Sequence, residues 1–82
     1  MGRSQRQKPK RLARKLLAIR QGLGASQTEM AKLLKLRGSY TAVSAYERGT
    51  REPDLLVLLR YAKVAKVSTD VLIDDTRNLP GK

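Results

Sequence analysis

The 82-residue chain contains neither cysteine nor histidine. Without cysteine, disulfide bonds and thiolate metal sites are excluded. Without histidine, the chain lacks both the commonest metal ligand and the side chain that most often serves as a general base. These two absences remove most of the chemistry on which small enzymes and small metal-binding domains depend.

Acidic side chains are scarce, and their positions do not favour catalysis. Of the seven acids, Glu29, Asp54 and Asp70 stand at predicted helix starts, where the helix dipole favours a carboxylate. Asp74 and Asp75 are adjacent, so on a helix they point about 100° apart and do not converge on one metal ion. We therefore expect a protein that is not an enzyme, with no catalytic residue, no metal and no cofactor.

Long apolar runs and phosphate loops are missing as well. No apolar segment is long enough to span a membrane or to act as a signal peptide, which favours a cytoplasmic protein without a membrane partner. The glycines Gly22 and Gly24 lack the preceding strand and the Lys-Ser/Thr ending of a phosphate loop. They are better explained as the end of a helix.

Positive charge is what the chain has in excess. Eighteen lysines and arginines against seven acids give a formal net charge of +11, and residues 1–28 contain no acid at all. Such an uneven excess predicts a polyanionic partner, more often nucleic acid than an anionic membrane. A solubilising charged tail is the alternative explanation.

The length allows one domain at most, which we divide into three segments. Residues 1–8 are predicted to be a flexible basic arm, residues 9–75 the folded domain, and residues 76–82 a frayed C-terminal tail. Hydrophobic periodicity predicts an all-α fold for the domain, a compact bundle of five short helices.

The first two helices are predicted from apolar spacing and from their ends. Helix 1 begins at Pro9 and ends at Gly24, while Arg11, Arg14 and Lys15 lie mostly off its apolar stripe. That stripe consists of Leu12, Leu16, Ile19 and Leu23. Helix 2 begins with a capping box between Ser26 and Glu29, and presents Met30, Leu33 and Leu34 on one face.

The third helix is predicted over residues 40–48, with Gly38 ending the helix before it. Ser39 is its expected N-cap, and Gly49 stops it. Its inward residues are Ala42, Val43 and Tyr46. Its outward residues are short or hydroxylated, namely Tyr40, Thr41, Ser44 and Ala45.

The fourth helix begins at Pro53 and Asp54, and apolar residues cover more than one of its sides. Its predicted core face consists of Leu55, Leu58, Leu59, Ala62 and Ala65. Leu56, Val57, Tyr61 and Val64 fall beyond that face, which indicates a second burial surface such as a dimer contact. A fifth helix follows Ser68, with Val71 and Leu72 inward.

Helices 2 and 3 together have the form of a helix-turn-helix reader of DNA. A helix enters the major groove only if its outward side chains are short enough to approach the base edges. The methyl groups of Thr41 and Ala45 suit thymine, and the hydroxyl groups of Tyr40, Thr41 and Ser44 suit base or phosphate acceptors. An ordinary amphipathic helix with small surface residues is the alternative.

The segments "SQTEMAKLL" and "VSAYERGTREP" resemble the Cro/lambda-repressor-like helix-turn-helix family, also called the xenobiotic-response-element type. The resemblance covers roughly residues 10–73. It implies a lambda-repressor-like DNA-binding domain and a small transcriptional regulator, bacterial or phage-like and nucleoid-associated when bound to DNA. The chain departs from the family pattern in a connection before helix 3 that is about two residues longer, and in Lys66, which stands where glycine or asparagine commonly ends helix 4.

The resemblance also implies a role for particular residues. Arg20 and Glu47 would form an internal ion pair, and Gln27 would contact a phosphate and brace the recognition helix. The remaining DNA-binding residues are Arg37, Ser39, Tyr40, Thr41, Ser44, Ala45, Arg48, Thr50 and Arg51. Among these, Tyr40, Thr41 and Ala45 would face base edges, and Arg48, Thr50 and Arg51 would lie near phosphates.

The predicted function is sequence-specific binding of double-stranded DNA by a homodimer on an inverted repeat, with helix 3 in the major groove. The dimer or partner surface is predicted at Leu56, Val57, Tyr61 and Ile73. Two alternatives use the same fold. One is the antitoxin of a toxin–antitoxin pair, for which this surface would bind a toxin or another regulator. The other is a protein-interaction module that does not bind DNA.

Overall fold

The computed structural model describes residues 9–37 and 40–80, and within these ranges the chain forms five helices and no strand. The helices are α1 (Leu12–Leu23), α2 (Gln27–Leu33), α3 (Thr41–Arg48), α4 (Leu55–Ala65) and α5 (Thr69–Ile73). None of these helices is long and apolar enough to cross a membrane. The predicted all-α architecture with five short helices is confirmed.

Several helix ends follow directly from local sequence. The Glu29 N–H donates to Ser26 Oγ over 3.0 Å, and the Ser26 N–H donates to Glu29 Oε1 over 2.7 Å, which completes the predicted capping box. Gly24 and Gly49 end α1 and α3 with φ angles of 69° and 76°, in the left-handed region. Asp54 caps α4 by accepting from the Val57 N–H.

Other helix ends differ from the sequence prediction. Helix α1 begins at Leu12 rather than Pro9. Helix α2 ends before Gly38, because Lys35 already has a left-handed φ of 59°. The N-cap of α3 is Tyr40 rather than Ser39, and both Gly38 and Ser39 lie outside the described residues.

The core lies between α1 and the other helices, and it supports α3 from behind. Helix α1 packs against α3, α4 and α5, while α2 packs against α3. The side chains that are almost completely buried come from all five helices and the end of α2: Leu16, Met30, Leu34, Val43, Tyr61 and Leu72. Helix α3 is therefore held on two sides, by α1 and by α2.

Helix α4 buries a different side from the one predicted from its sequence. Val57 is buried and Tyr61 is 0% exposed, whereas Leu55 is 85% exposed and Leu59 is exposed as well. The predicted core positions of Leu55 and Leu59 are wrong, and Val57 and Tyr61 are not available as a dimer or partner surface. Because apolar residues surround much of this helix, its periodicity alone could not select the buried side.

Lys15 is buried although the sequence placed it off the apolar stripe. Only 4% of the residue is exposed, and its ammonium donates to the carbonyls of Val71 over 2.7 Å and Asp74 over 3.0 Å. A cation at these carbonyls is favourable because they are the unpaired end of α5. Desolvation, reinforced by nearby Arg11, lowers the pKa of Lys15 from its ordinary value.

The C-terminal segment folds back over the start of α1. The carboxylate of Asp75 accepts from the backbone N–H groups of Lys10 and Arg11 over 2.9 and 3.0 Å, and so caps α1 from a distant part of the chain. The Arg11 guanidinium donates to the Asp75 carbonyl and to the side chain of Asn78. Leu79 packs against the core. Residues 76–80 are therefore attached to the domain rather than frayed.

Candidate nucleic-acid interface

Helix α3 separates a buried side from an exposed side along its eight residues. Val43 and Tyr46 are buried against the core. The opposite side carries Thr41, Ser44, Ala45 and Arg48, which we call the outer face of α3; Thr41 and Arg48 are exposed, and Ser44 and Ala45 are partly exposed. These four positions are separated by three, four and seven residues, so they share one side of the helix.

The end of α3 is attached to α1 and α2 through one carboxylate. Arg20 Nε donates to Glu47 Oε2 over 2.6 Å, and Arg20 Nη2 donates to Glu47 Oε1 over 3.0 Å. Gln27 Nε2 donates to the same Oε1 over 3.1 Å. We call Arg20, Gln27 and Glu47 the Glu47 network. It joins the C-terminal half of α1, the first residue of α2 and the last turn of α3.

The Glu47 network compensates the charge of the acid at the end of α3. The Glu47 side chain is 5% exposed, and both of its oxygens accept hydrogen bonds from within the protein. The hydrogen bond to Glu47 raises the pKa of Arg20, so the guanidinium remains charged. The negative charge is therefore compensated inside the fold.

Gln27 occupies a position between two helices. Its amide nitrogen donates to Glu47, which braces the end of α3 against the start of α2. An amide nitrogen carries two hydrogens, and a second donor therefore remains for an acceptor outside the domain. The phosphate contact that the resemblance implies for Gln27 stays a prediction.

The loop after α3 is held close to the outer face. The Thr50 backbone N–H donates to the Ala45 carbonyl over 3.1 Å, and the Thr50 hydroxyl donates to the same oxygen over 3.3 Å. The Arg51 guanidinium carbon lies 5.9 Å from the centre of the Tyr46 ring, within cation–π range. Burial raises the pKa of Tyr46, and Arg51 partly offsets this rise. Thr50 is thus positioned at the C-terminal end of the outer face, and Arg51 lies over the Tyr46 ring.

Arg48 belongs to the helix rather than to the loop. It is the last residue of α3, and its Nη1 donates to Ser44 Oγ one turn earlier. This contact brings two of the predicted DNA-binding residues together on the outer face. The end of α3 at residue 48 agrees with the sequence prediction. The phosphate contact that the resemblance implies for Arg48, together with Thr50 and Arg51, stays a prediction.

The N-terminal end of α3 is more open. Tyr40 is 49% exposed, and its side chain makes no capping hydrogen bond to the helix. Arg37 is exposed at the end of the preceding connection. Ser39 lies outside the described residues. The structure therefore brings together Tyr40, the outer face of α3 and Thr50, while Arg51 lies over the Tyr46 ring and Gln27 is bonded to Glu47.

Two supporting residues were missed by sequence reasoning. Arg60 Nη1 donates to the Leu34 carbonyl over 3.1 Å, which holds the end of α2 before the connection to α3. Tyr61 lies edge-on to Tyr46, with ring centres 6.3 Å apart, and its buried hydroxyl has no hydrogen-bond partner among the described residues. Burial raises the pKa of Tyr61. Neither role has a local sequence signal, because each partner is many residues away.

The predicted dimer or partner surface divides into two groups. Leu56 and Ile73 are exposed, together with the neighbouring Leu55, whereas Val57 and Tyr61 belong to the core. With Leu59, four leucine and isoleucine side chains are thus exposed on α4 and α5. Over residues 9–37 and 40–80, no group of three or more acidic residues comes together in a way that could hold a metal ion.

Comparisons with known proteins agree with this geometry. Residues 16–72 match the model of a helix-turn-helix family. The structure is similar to one described as the crystal structure of the P22 c2 repressor protein in complex with synthetic operator 9T in the presence of Tl+. The two share 28% sequence identity with a TM-score of 0.70, and the match covers 78% of this chain and 94% of the repressor chain. No curated protein matches the chain.

Proposed function

Because this chain belongs to the helix-turn-helix family of Cro- and lambda-repressor-like regulators, we propose that it reads double-stranded DNA with α3 in the major groove. The repressor that it resembles was crystallised on an operator, and we transfer that mode of binding to this chain. The protein is thus proposed to be a transcriptional regulator that recognises the base sequence of its operator.

The outer face of α3 is the observation that carries this proposal. Its side chains at Thr41, Ser44 and Ala45 are short, so the helix backbone can approach the base edges closely. The methyl groups of Thr41 and Ala45 offer apolar contact to a thymine methyl, and Tyr40 adds a phenol at the exposed end. The Glu47 network supports the proposal because it holds the helix rigidly while removing a carboxylate from the phosphate side.

Phosphate contacts are assigned to the groups that border the outer face. Gln27 has a second amide hydrogen, and Thr50 and Arg51 stand at the C-terminal end of α3. Contacts of this kind set the position of the protein on the duplex without reading its sequence. Arg37 extends the basic border at the other end.

We assign dimerisation to the exposed apolar side chains of α4 and α5. Leu55 and Leu56 are exposed in the first turn of α4, and Ile73 is exposed in α5. A two-fold dimer would place two copies of α3 about one helical turn of DNA apart, on an inverted repeat. Leu56→Glu should weaken concentration-dependent self-association in sedimentation velocity. A protein that remains monomeric at high concentration and on DNA would contradict this assignment and would favour a different protein partner.

A selection from random duplex DNA tests the proposed function most directly. We expect an enriched motif with two related half-sites whose centres lie about 10 base pairs apart. The matched variant is Ala45→Glu, because position 45 is partly exposed on the outer face and tolerates the change without repacking. This variant should enrich no motif while its circular dichroism remains helical. Failure of the wild type to enrich any motif would overturn sequence-specific binding.

Salt dependence provides an independent test. Because Lys and Arg contacts to phosphates release counterions, affinity should fall by roughly 100-fold or more between 50 and 200 mM salt. Fluorescence anisotropy with a labelled duplex measures this fall. An affinity that does not change with salt would favour the protein-interaction module.

A further inference from the structure

Arg48 is the one long side chain on the outer face of α3, and it lies near the middle of that face. Seven residues correspond to about two helical turns, so Arg48 stands almost in line with Thr41 and between the positions of Ser44 and Ala45 around the helix. Helical side chains tilt toward the N-terminus, and Arg48 therefore covers the turn that contains Ser44 and Ala45. This is the part of the face that approaches the bases.

The contact with Ser44 shows where the Arg48 guanidinium lies in the free protein. Nη1 donates to Ser44 Oγ, which draws the side chain across the outer face rather than outward toward the border. The contact engages Nη1 of the guanidinium and neither Nε nor Nη2. The Nε and Nη2 edge of the guanidinium consequently remains available as a two-pronged donor.

Ala45 leaves room for this arrangement. Its methyl side chain is partly exposed next to Arg48, and a longer residue at this position would occupy the space that the guanidinium crosses. The outer face therefore has short side chains at three positions, and the long Arg48 side chain extends over them. A two-pronged donor in the major groove matches the O6 and N7 acceptors of guanine.

Resting on the proposed function, we infer that Arg48 is the specificity-determining residue of the outer face, and that it reads a guanine. Ser44 is its positioning residue, because its hydroxyl fixes the direction of the guanidinium. Arg51 lies in the loop after α3, where its guanidinium stacks on the Tyr46 ring, and we expect it to contact phosphate. The two arginines thus have separate consequences, one for base preference and one for affinity.

The test is a set of parallel selections from random duplex DNA, with affinities measured on the selected site. Arg48→Ala should lose the preference for guanine at one position of each half-site, by about 5- to 150-fold, and leave the salt slope unchanged. Arg48→Lys should relax the same position, because an ammonium keeps the charge and lacks the fork. Arg51→Ala should instead weaken binding to all sequences and reduce the salt slope by about 1.

Ser44→Ala tests the positioning role. It should relax the preference at the same base pair as Arg48→Ala, while Ser44→Thr, which keeps the hydroxyl, should retain it. Lys63→Ala, an exposed position on α4, is the control that should change neither preference nor affinity. Circular dichroism on each variant establishes that α3 has folded.

The possible failures are distinguishable. If the wild type enriches no motif, the proposed function itself is wrong. If the wild type enriches a motif but Arg48→Ala weakens all sequences equally, or the motif contains no position that requires guanine, the inference is overturned and Arg48 binds phosphate. An unchanged preference in Ser44→Ala overturns the positioning role alone.

Discussion

The two ends of α3 are attached to the protein in different ways. At the C-terminal end, Glu47 is bonded to Arg20 and Gln27, and Gly49 closes the helix in a left-handed conformation. At the N-terminal end, Tyr40 is half exposed and provides no capping side chain. The position of α3 on the domain is therefore set from its C-terminal end. The N-terminal end, where Tyr40 is half exposed, carries side chains that we propose contact DNA.

The first prediction removes the attachment at the C-terminal end. Glu47→Ala leaves the largely buried Arg20 guanidinium without its partner, and we expect a loss of about 3 kcal/mol in the free energy of unfolding. Urea denaturation followed by circular dichroism measures this loss. Arg77→Ala is the control, because the Arg77–Asp70 pair is exposed at 3.9 Å and should contribute less than about 1 kcal/mol. Equal losses in the two variants would remove the distinction between the ends of α3.

The second prediction concerns the left-handed residue that closes α3. Gly49→Ala should destabilise the protein by about 1–2 kcal/mol, because a Cβ disfavours its φ of 76°. The added Cβ would lie 3.6 Å from the Ala13 Cβ, an ordinary contact, so backbone strain is the whole of the expected effect.

Lys66→Gly is the matched variant for Gly49→Ala. Lys66 ends α4 with a φ of 60°, in the same left-handed region, and it is not glycine. The substitution should raise the melting temperature, whereas Gly49→Ala should lower it. Changes of the same sign in both variants would show that the helix ends do not respond to this strain.

The smallest expected effect on stability lies at the open end of α3. Tyr40→Ala should change the free energy of unfolding by less than about 0.5 kcal/mol, because the side chain is half exposed and caps nothing. DNA affinity should nevertheless fall, which anisotropy measures on the same sample. A large loss of stability would mean that this end, too, is held by the fold.

Local signals were sufficient for most helix ends and for the attachment of α3. The capping box at Ser26 and Glu29, and the glycines at positions 24 and 49, act within a few residues and were predicted correctly. The Arg20–Glu47 contact followed from the family resemblance rather than from spacing, because the two residues are 27 positions apart.

The sequence predictions were wrong where the burial of a side chain depended on contacts between helices that are distant in the sequence. Helix α4 is apolar on several sides, so its sequence allowed more than one buried face, and packing against α1 and α5 selected Val57 and Tyr61. Lys15 was placed off the apolar stripe because its charge was considered without the carbonyls of Val71 and Asp74, which accept its hydrogen bonds. Neither the buried side of α4 nor the burial of Lys15 can be predicted from a short window of sequence.

The three tyrosines form a graded set of optical probes in a chain without tryptophan. Tyr40 is half exposed at the proposed interface, Tyr46 lies on the buried side of α3, and Tyr61 is fully buried beside Tyr46. In an alkaline titration, the tyrosinate absorbance of Tyr61 should develop last, because burial raises its pKa. Binding of DNA should perturb the signal of Tyr40 first. The native chromophores can therefore report ligand engagement and core opening separately, without an attached dye.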